Sequence, residues 1–413
     1  MNRYLLLPIS LFMSFILSCS SDYSALNDTD KPTIRSLTPA EKELVTTSQN
    51  FGLKLFQAIN QVDTSENIFI SPLSVSMALG MTLNGANGQN YEDMKNTLEL
   101  NVLSEQQINE AYKTLINLLL NLDEKVIFEI ANSIWMRNGY AILPSFIDVN
   151  KNYFYSEAKT LNFSSPDAVD IINAWISEKT HGKIENMLDY IHPNAVMYLI
   201  NAIYFKGTWT YQFDQENTVT APFYTTTQIS NECQMMKITG NWLYYQDDEV
   251  QIVDLPYGDS LFSMTVLLPS AGQTVDDFIS QLSATDWTDY FDALDYAFGT
   301  IAMPKLKLNY KKTINDVLIS LGMGSAFGSG ADFTRITTEV ELYINRVIHQ
   351  SFLQVDEEGT EAAAATIVEL VYKSINSNEF YMSMDHPYLF VIRERVNNTI
   401  LFIGKISNPV WEN

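Results

Sequence analysis

Apolar and polar positions alternate along this chain in a way that places helices mainly towards its start and strands mainly towards its end. The sharpest boundary is residues 38–41 (TPAE). Thr38 sits at an N-cap position, proline takes the first helical position, and Glu41 completes a capping box. Leu44, Phe51, Leu55 and Ile59 then recur on related faces of one amphipathic helix. Ser71-Pro72 repeats the device, and Met77, Ala78, Met81 and Thr82 give that helix a buried pattern. A third helix is predicted from residues 165–167 (SPD), carrying Val169, Ile172, Trp175 and Ile176 and stopped by Gly182.

Residues 126–135 and 196–205 run almost wholly apolar, as strands covered on both faces do. Residues 263–269, Ile392 and residues 400–406 alternate or run apolar between turn signals. Separate helical and strand-rich stretches predict an α+β fold. No Gly/Ser-rich or Pro-rich linker and no internal repeat divides the chain, so a single domain over 38–413 is expected.

Composition narrows the field. Of 413 residues 46% are apolar, ample for a large core and inconsistent with global disorder. A formal charge of −24 argues against nucleic acid and anionic membrane surfaces as partners. The acidic clusters at 247–249 and 276–277 read as solvated surface.

The first residues read as a processing signal. Arg3 supplies positive charge, and residues 4–17 form an apolar run too short to span a membrane as an ordinary helix. Residues 16–19 (ILSC) have the form of a bacterial lipobox, so cleavage before Cys19 would leave a lipidated amino terminus. A plain secretory signal with a bystander cysteine is the alternative. The expected division is a lipoprotein signal peptide over 1–18, a polar tether over 19–37, and the folded domain thereafter. The protein would then be exported to the bacterial outer membrane or cell surface, or face the periplasm, touching membrane only through its lipid. The one other cysteine, Cys233, leaves the mature lipoprotein without an internal disulfide and reads as a buried small hydrophobe.

No catalytic constellation stands out. Gly324-Ser325-Ala326-Phe327-Gly328 lacks the spacing of a nucleophile elbow, and His181, His192, His349 and His386 lack metal-ligand spacing. Neither an enzyme nor a cofactor or metal site is expected.

Residues 357–374 (EEGTEAAAATIVELVYKS) stand apart because they are locally ambivalent. Four consecutive alanines favour helix, whereas the β-branched and aromatic residues that follow favour strand. As a strand, Thr360, Ala362, Ala364, Thr366, Val368 and Leu370 share one uncharged face. Glu361, Ala363, Ala365, Ile367 and Glu369 share the other, which is small in its middle. Such a segment could slide between two existing strands. A short surface helix capped by Thr360 is the alternative.

Six groups of residues, in order along most of the chain, resemble the serpin family. They are residues 67–74 (NIFISPLS), 201–209 (NAIYFKGTW), 303–305 (MPK), 330–333 (GADF), His349 with 355–359 (VDEEG), and an ending that runs from 386–390 (HPYLF) to 402–409 (FIGKISNP). The resemblance implies three β-sheets, about nine helices and an exposed reactive loop. It makes residues 357–374 the hinge and reactive loop of an inhibitory member, with Glu357, Glu358, Gly359, Thr360, Glu361, Ala362, Ala363, Ala364 and Ala365 as the hinge. Ser71, Ser74, Asn201 and His349 resemble the polar shutter beneath the point where the main sheet opens, and Trp209 the breach tryptophan at its top. Apart from the family, a lone His349 or Trp209 is an ordinary core residue. The third helix named above would lie across the main sheet and yield when the loop enters.

The family's usual count of seventeen residues from the hinge glutamate ends at Lys373, which puts the cut between Lys373 and Ser374; a shift of one gives Tyr372. Lysine suits the acidic pocket of a trypsin-like protease. The resemblance implies a monomeric suicide substrate that traps its target serine protease in a covalent complex. No Lys/Arg cluster of the kind that binds heparin-like polymers is present. Residues 375–384 are longer than the usual family segment, which leaves the register open to more than one bait bond. Two rivals remain: a non-inhibitory serpin serving as a binding or chaperone module, and an unrelated exported enzyme.

Overall fold

Thr38 caps the first helix in both directions. Its hydroxyl accepts from the Glu41 amide at 3.3 Å, and the Glu41 carboxylate accepts from the Thr38 amide at 2.7 Å. The computed structural model describes residues 35–225, 229–360 and 379–411, and those from Leu37 on form one compact unit. Nine α-helices occur among them: α1 (Pro39–Val62), α2 (Pro72–Leu83), α3 (Gly88–Thr97), α4 (Glu105–Leu120), α5 (Pro144–Phe154), α6 (Ala168–Lys179), α7 (Val275–Gln281), α8 (Ala284–Ala293) and α9 (Asn315–Leu318). Ser71 caps α2 through its hydroxyl, as the Ser-Pro signal predicts.

The α6 helix starts later than its signal. The Ser165 hydroxyl bonds the Asp167 carboxylate and the Ala168 amide donates to Ser165 O at 3.2 Å, so residues 165–167 form a turn ahead of the helix. Gly182, at φ +78°, closes the other end by donating its amide to Ser177 O at 2.8 Å.

Fifteen strands accompany them: β1 (Asn67–Ile70), β2 (Val126–Arg137), β3 (Glu157–Leu161), β4 (Met197–Thr208), β5 (Val219–Tyr224), β6 (Ser230–Gln246), β7 (Val250–Tyr257), β8 (Phe262–Pro269), β9 (Asp295–Pro304), β10 (Leu306–Thr313), β11 (Ile348–Val355), β12 (Gly359–Thr360), β13 (Phe380–Ser383), β14 (Tyr388–Glu394) and β15 (Ile400–Ile406). Six form a sheet in the order β10-β11-β12-β4-β2-β3. The other nine form one hydrogen-bonded network that divides at the 17-residue β6. Most of β6 pairs with β5 and β9, while its last residues pair with β7. The three expected sheets are thus a six-stranded sheet and two that share one long strand.

The main core lies between the two networks and α1, α2 and α4. A second apolar cluster sits under α6 on the other face of the six-stranded sheet, where Ile172, Trp175 and Ile176 meet Trp135 of β2 and Ile200 of β4.

Candidate functional site

The chain enters the six-stranded sheet through a tight turn at residues 356–359. The Asp356 carboxylate accepts the Glu358 and Gly359 amides at 3.1 and 3.3 Å, and the Asp356 amide donates to Gly359 O at 3.0 Å. This carboxylate-held turn reverses the chain at the end of β11. Gly359 then lies against Thr208, and Thr360 lies between Gly207 of β4 and Val355 of β11. Only glycine fits at 359. A Cβ there would stand 2.2 Å from the Gly207 carbonyl oxygen and 2.8 Å from Thr208 Cα.

Trp209 and Tyr257 fix this entry from below. The Trp209 indole donates to Asp356 O at 2.9 Å and its amide donates to Glu358 O at 2.9 Å. Its ring stacks on Tyr257 at 4.4 Å, and Tyr257 shares a 2.6 Å hydrogen bond with the Thr360 hydroxyl. Both rings are buried, and so is Thr360. Glu357 is tied in from the side by Lys305 Nζ at 2.7 Å and the Thr218 hydroxyl at 2.8 Å. Burial alone would raise its carboxyl, but these two donors hold it below the usual carboxylate range.

Lower in the same sheet the structure brings Ser71, Ser74, Asn201 and His349 into one buried cluster. The Ser71 amide donates to His349 Nε2 at 3.1 Å, and its hydroxyl donates to Leu401 O at 2.8 Å while accepting from the Ser74 amide. The Ser74 hydroxyl donates to Asn201 Oδ1, and Asn201 Nδ2 donates to Asn132 Oδ1 at 2.8 Å. His349 accepts through Nε2, and burial pushes its imidazole down to about 4, so it is neutral at physiological pH. A cavity of about 600 Å³ opens beside Ser74, Ile200, Asn201, Ile348 and His349.

Entry and cluster lie on one line between β4 and β11. Among the described residues no ladder joins these two strands directly; Gly359–Thr360 is the strand between them. Both flanking strands are unbulged where they pair outward, β4 with β2 from Val126–Gly207 to Met136–Met197, and β11 with β10 from Leu306–Val355 to Thr313–Ile348. The sheet therefore holds two straight edges with two residues of strand already seated at one end.

Glu357, Glu358, Gly359, Thr360, Ser71, Ser74, Asn201, His349 and Trp209 are all placed, and Gly359–Thr360 is extended rather than helical. Glu361, Ala362, Ala363, Ala364, Ala365, Tyr372, Lys373, Ser374 and Cys19 lie outside the described residues. Cys233 is buried, and burial raises its thiol to about 11, which suits an inert hydrophobe. Sequence reasoning named Lys305 only within the 303–305 motif, without its role, and missed Thr218, Tyr257 and Asn132. Lys305 and Tyr257 each follow a proline-containing apolar run, but nothing local names their distant partners.

A family model described as Serpin (serine protease inhibitor) matches residues 46–409. The chain is 32% identical over 381 residues to the leukocyte elastase inhibitor of Sus scrofa, covering 89% of this chain and 100% of that one. It is 33% identical over 372 residues to Serpin B9 of Homo sapiens, covering 88% and 98%. In structure it is similar to the native state of the thermophilic serpin tengpin, with TM-score 0.82, 29% identity, and 91% and 96% of the two chains covered. It also shares its fold with human thyroxine-binding globulin, at TM-score 0.82, 24% identity and coverage of 90% and 100%.

Proposed function

The chain belongs to the serpin family, and from that membership we propose that it is a suicide-substrate inhibitor of serine proteases, not an enzyme. The bait is the Lys373–Ser374 bond, with Tyr372 as the alternative specificity residue, and trypsin-like proteases are the favoured targets. The protease serine attacks the Lys373 carbonyl carbon. The amide bond to Ser374 breaks, the Ser374 nitrogen leaves with the proton held by the protease's base, and an ester joins Lys373 to the protease. The freed segment from Glu361 onward then continues the strand begun at Gly359–Thr360. It carries the acylated protease away before water can cleave the ester.

One observation carries this reading: Thr360 is paired on both sides, to Gly207 and Val355, at the head of two strands with no direct ladder between them among the described residues. Continuing that register sets Ala362 between Phe205 and Leu353, and Thr366 between Asn201 and His349. At about 1 kcal/mol per net hydrogen bond, a strand of this length gains on the order of ten kcal/mol. The intact fold is then kinetically trapped. Ser71, Ser74, Asn201 and His349 act as the latch that insertion must open, and Trp209 braces the entry. Residues 1–18 are a lipoprotein signal, 19–37 a tether from a lipidated Cys19, and 38–413 the inhibitor, exported and monomeric.

The test is incubation with trypsin. A covalent complex that survives denaturant, with release of a peptide beginning at Ser374, supports the proposal. Complete cleavage with no complex and no rise in melting temperature would overturn it in favour of a non-inhibitory binding or chaperone role.

A further inference from the structure

The segment after β15 crosses from the nine-stranded network to the outer edge of the six-stranded sheet. Asn67 staples its start: Oδ1 accepts the Ser407 and Asn408 amides, both at 3.1 Å, and Nδ2 donates to Asn408 O at 2.7 Å. Asn231 of β6 adds a side-chain bond to Asn408 Oδ1 at 2.9 Å. From there the chain runs beside the first residues of β10. The Lys307 amide donates to Val410 O at 2.8 Å, and Lys307 and Trp411 form a parallel bridge. This path brings the Trp411 ring to Lys305, whose Nζ lies 5.1 Å from the ring centroid.

Lys305 is the single residue between β9 and β10, and its amide is fixed there by donating to Gln234 O at 2.8 Å. Its side chain has no such constraint of its own, because an ammonium on a four-carbon stem has many rotamers to lose. Two neighbours select one arrangement. Glu357 Oε2 accepts from Nζ at 2.7 Å, and the indole of Trp411 lies over the same nitrogen, where the ring quadrupole favours a cation. Trp411 is 44% exposed, so it is not a core side chain; what it covers is the Lys305 ammonium. The next residues after Glu357 are those of the entry turn and of β12.

We infer that Trp411 is a positioning residue: it holds the Lys305 ammonium on Glu357, and so keeps the turn at 356–359 closed and Thr360 seated between β4 and β11. Its part in trapping rests on the reading of this chain as a loop-inserting inhibitor; its hold on the turn does not. A strand begun at Thr360 lengthens fastest from a fixed start, so a loosened Lys305 gives deacylation more time.

The experiment is a double-mutant cycle in the full chain, with Trp411→Ala, Lys305→Met and the pair, read by amide hydrogen exchange at Glu358 and Gly359, the two amides that donate to Asp356. Trp411→Ala should exchange them about two- to fivefold faster than wild type, the range for a cation over an indole at a partly exposed site. In the Lys305→Met background the same change should add nothing. Trp411→Phe, which keeps an aromatic face, should stay close to wild type, and Trp411→Leu should match Trp411→Ala. Unchanged exchange in Trp411→Ala would overturn the inference. So would an equal acceleration with and without Lys305, which is what a general loosening of the segment after β15 produces. With trypsin, Trp411→Ala should raise the stoichiometry of inhibition about twofold, and Trp411→Phe should restore it. Wild type that forms no covalent complex would instead remove the inhibitor reading and the role in trapping with it, while the exchange result still decides the hold on the turn.

Discussion

Lys305 and Glu357 meet at 2.7 Å across the top of the six-stranded sheet, with the Glu357 side chain only 6% exposed. The same carboxylate takes the Thr218 hydroxyl, so one residue anchors the turn that aims the chain into the slot. A buried carboxylate that loses its cation keeps the desolvation cost. Lys305→Ala should therefore lower the melting temperature of the intact protein by several degrees, for a loss of about 1–3 kcal/mol. Glu357→Lys should do at least as much, and the double exchange Glu357→Lys with Lys305→Glu should recover more than half. Thermal unfolding of the four proteins measures this.

Gly359→Ala should separate folding from inhibition. Its methyl group would collide with backbone of β4, which cannot move aside as a side chain can. The turn at Asp356 must then open and β12 detach. The expected result is a folded protein cleaved by trypsin with little complex formed, raising the stoichiometry of inhibition several-fold. Unchanged stoichiometry would show that the pairing of Gly359 with Thr208 is irrelevant to trapping.

Thr360→Arg tests the neighbouring residue by size and charge. Thr360 is 3% exposed and hydrogen-bonded to Tyr257 in the core, a place where an unpaired guanidinium is costly. Inhibition should be lost while cleavage persists, and Thr360→Ser should retain most inhibition. Gel analysis of complex against cleaved inhibitor distinguishes the outcomes.

His349 gives the fold an acid limit. Its imidazole is held down to about 4 by burial, against 6.5 in the unfolded chain, and its Nε2 must stay unprotonated to accept from Ser71. Between those values the unfolded state binds more protons, so stability falls as pH drops from about 6.5 to 4, by roughly 3 kcal/mol in all. Unfolding midpoints across this range should lose about one proton's worth of slope in His349→Gln.

His386 acts with the opposite sign. Both its ring nitrogens face acceptors, Nδ1 towards the Asp385 carboxylate at 2.9 Å and Nε2 towards Pro269 O at 3.0 Å, so only the imidazolium satisfies both. The Asp385 hydrogen bond raises its pKa above the usual value, against the lowering effect of burial. Its contribution is complete below the ordinary histidine pKa and is lost as pH rises through the raised one. Wild type should lose stability relative to His386→Gln on going from pH 6 to pH 9, measured by the same midpoints.

Local signals reached the elements whose causes are local. Thr38 and Ser71 each carry their own cap partner within three residues, so α1 and α2 could be read from the chain. The start of α6 could not, because Ser165 spends its hydroxyl on Asp167 instead of on the helix. Ser71, Ser74, Asn201 and His349 entered through family motifs and do meet, but Asn132 links them to α5 by donating to Phe154 O at 2.8 Å. Its place opposite Asn201 depends on strand register, which periodicity leaves undetermined. Lys305 and Glu357 are 52 positions apart, and no pattern along the chain pairs them.

On the proposed insertion, the unbulged edges of β4 and β11 make length upstream of the bait bond a fixed quantity. A single residue added or removed after Thr360 would turn every later side chain of the entering strand to the opposite face of the sheet. It would also change the haul on a captured protease by about 3.3 Å. On the proposed bait bond, lineages can retune which protease is caught by replacing Tyr372, Lys373 or Ser374, and can lengthen the chain beyond the cut. Above the cut, substitution is the one route open to variation.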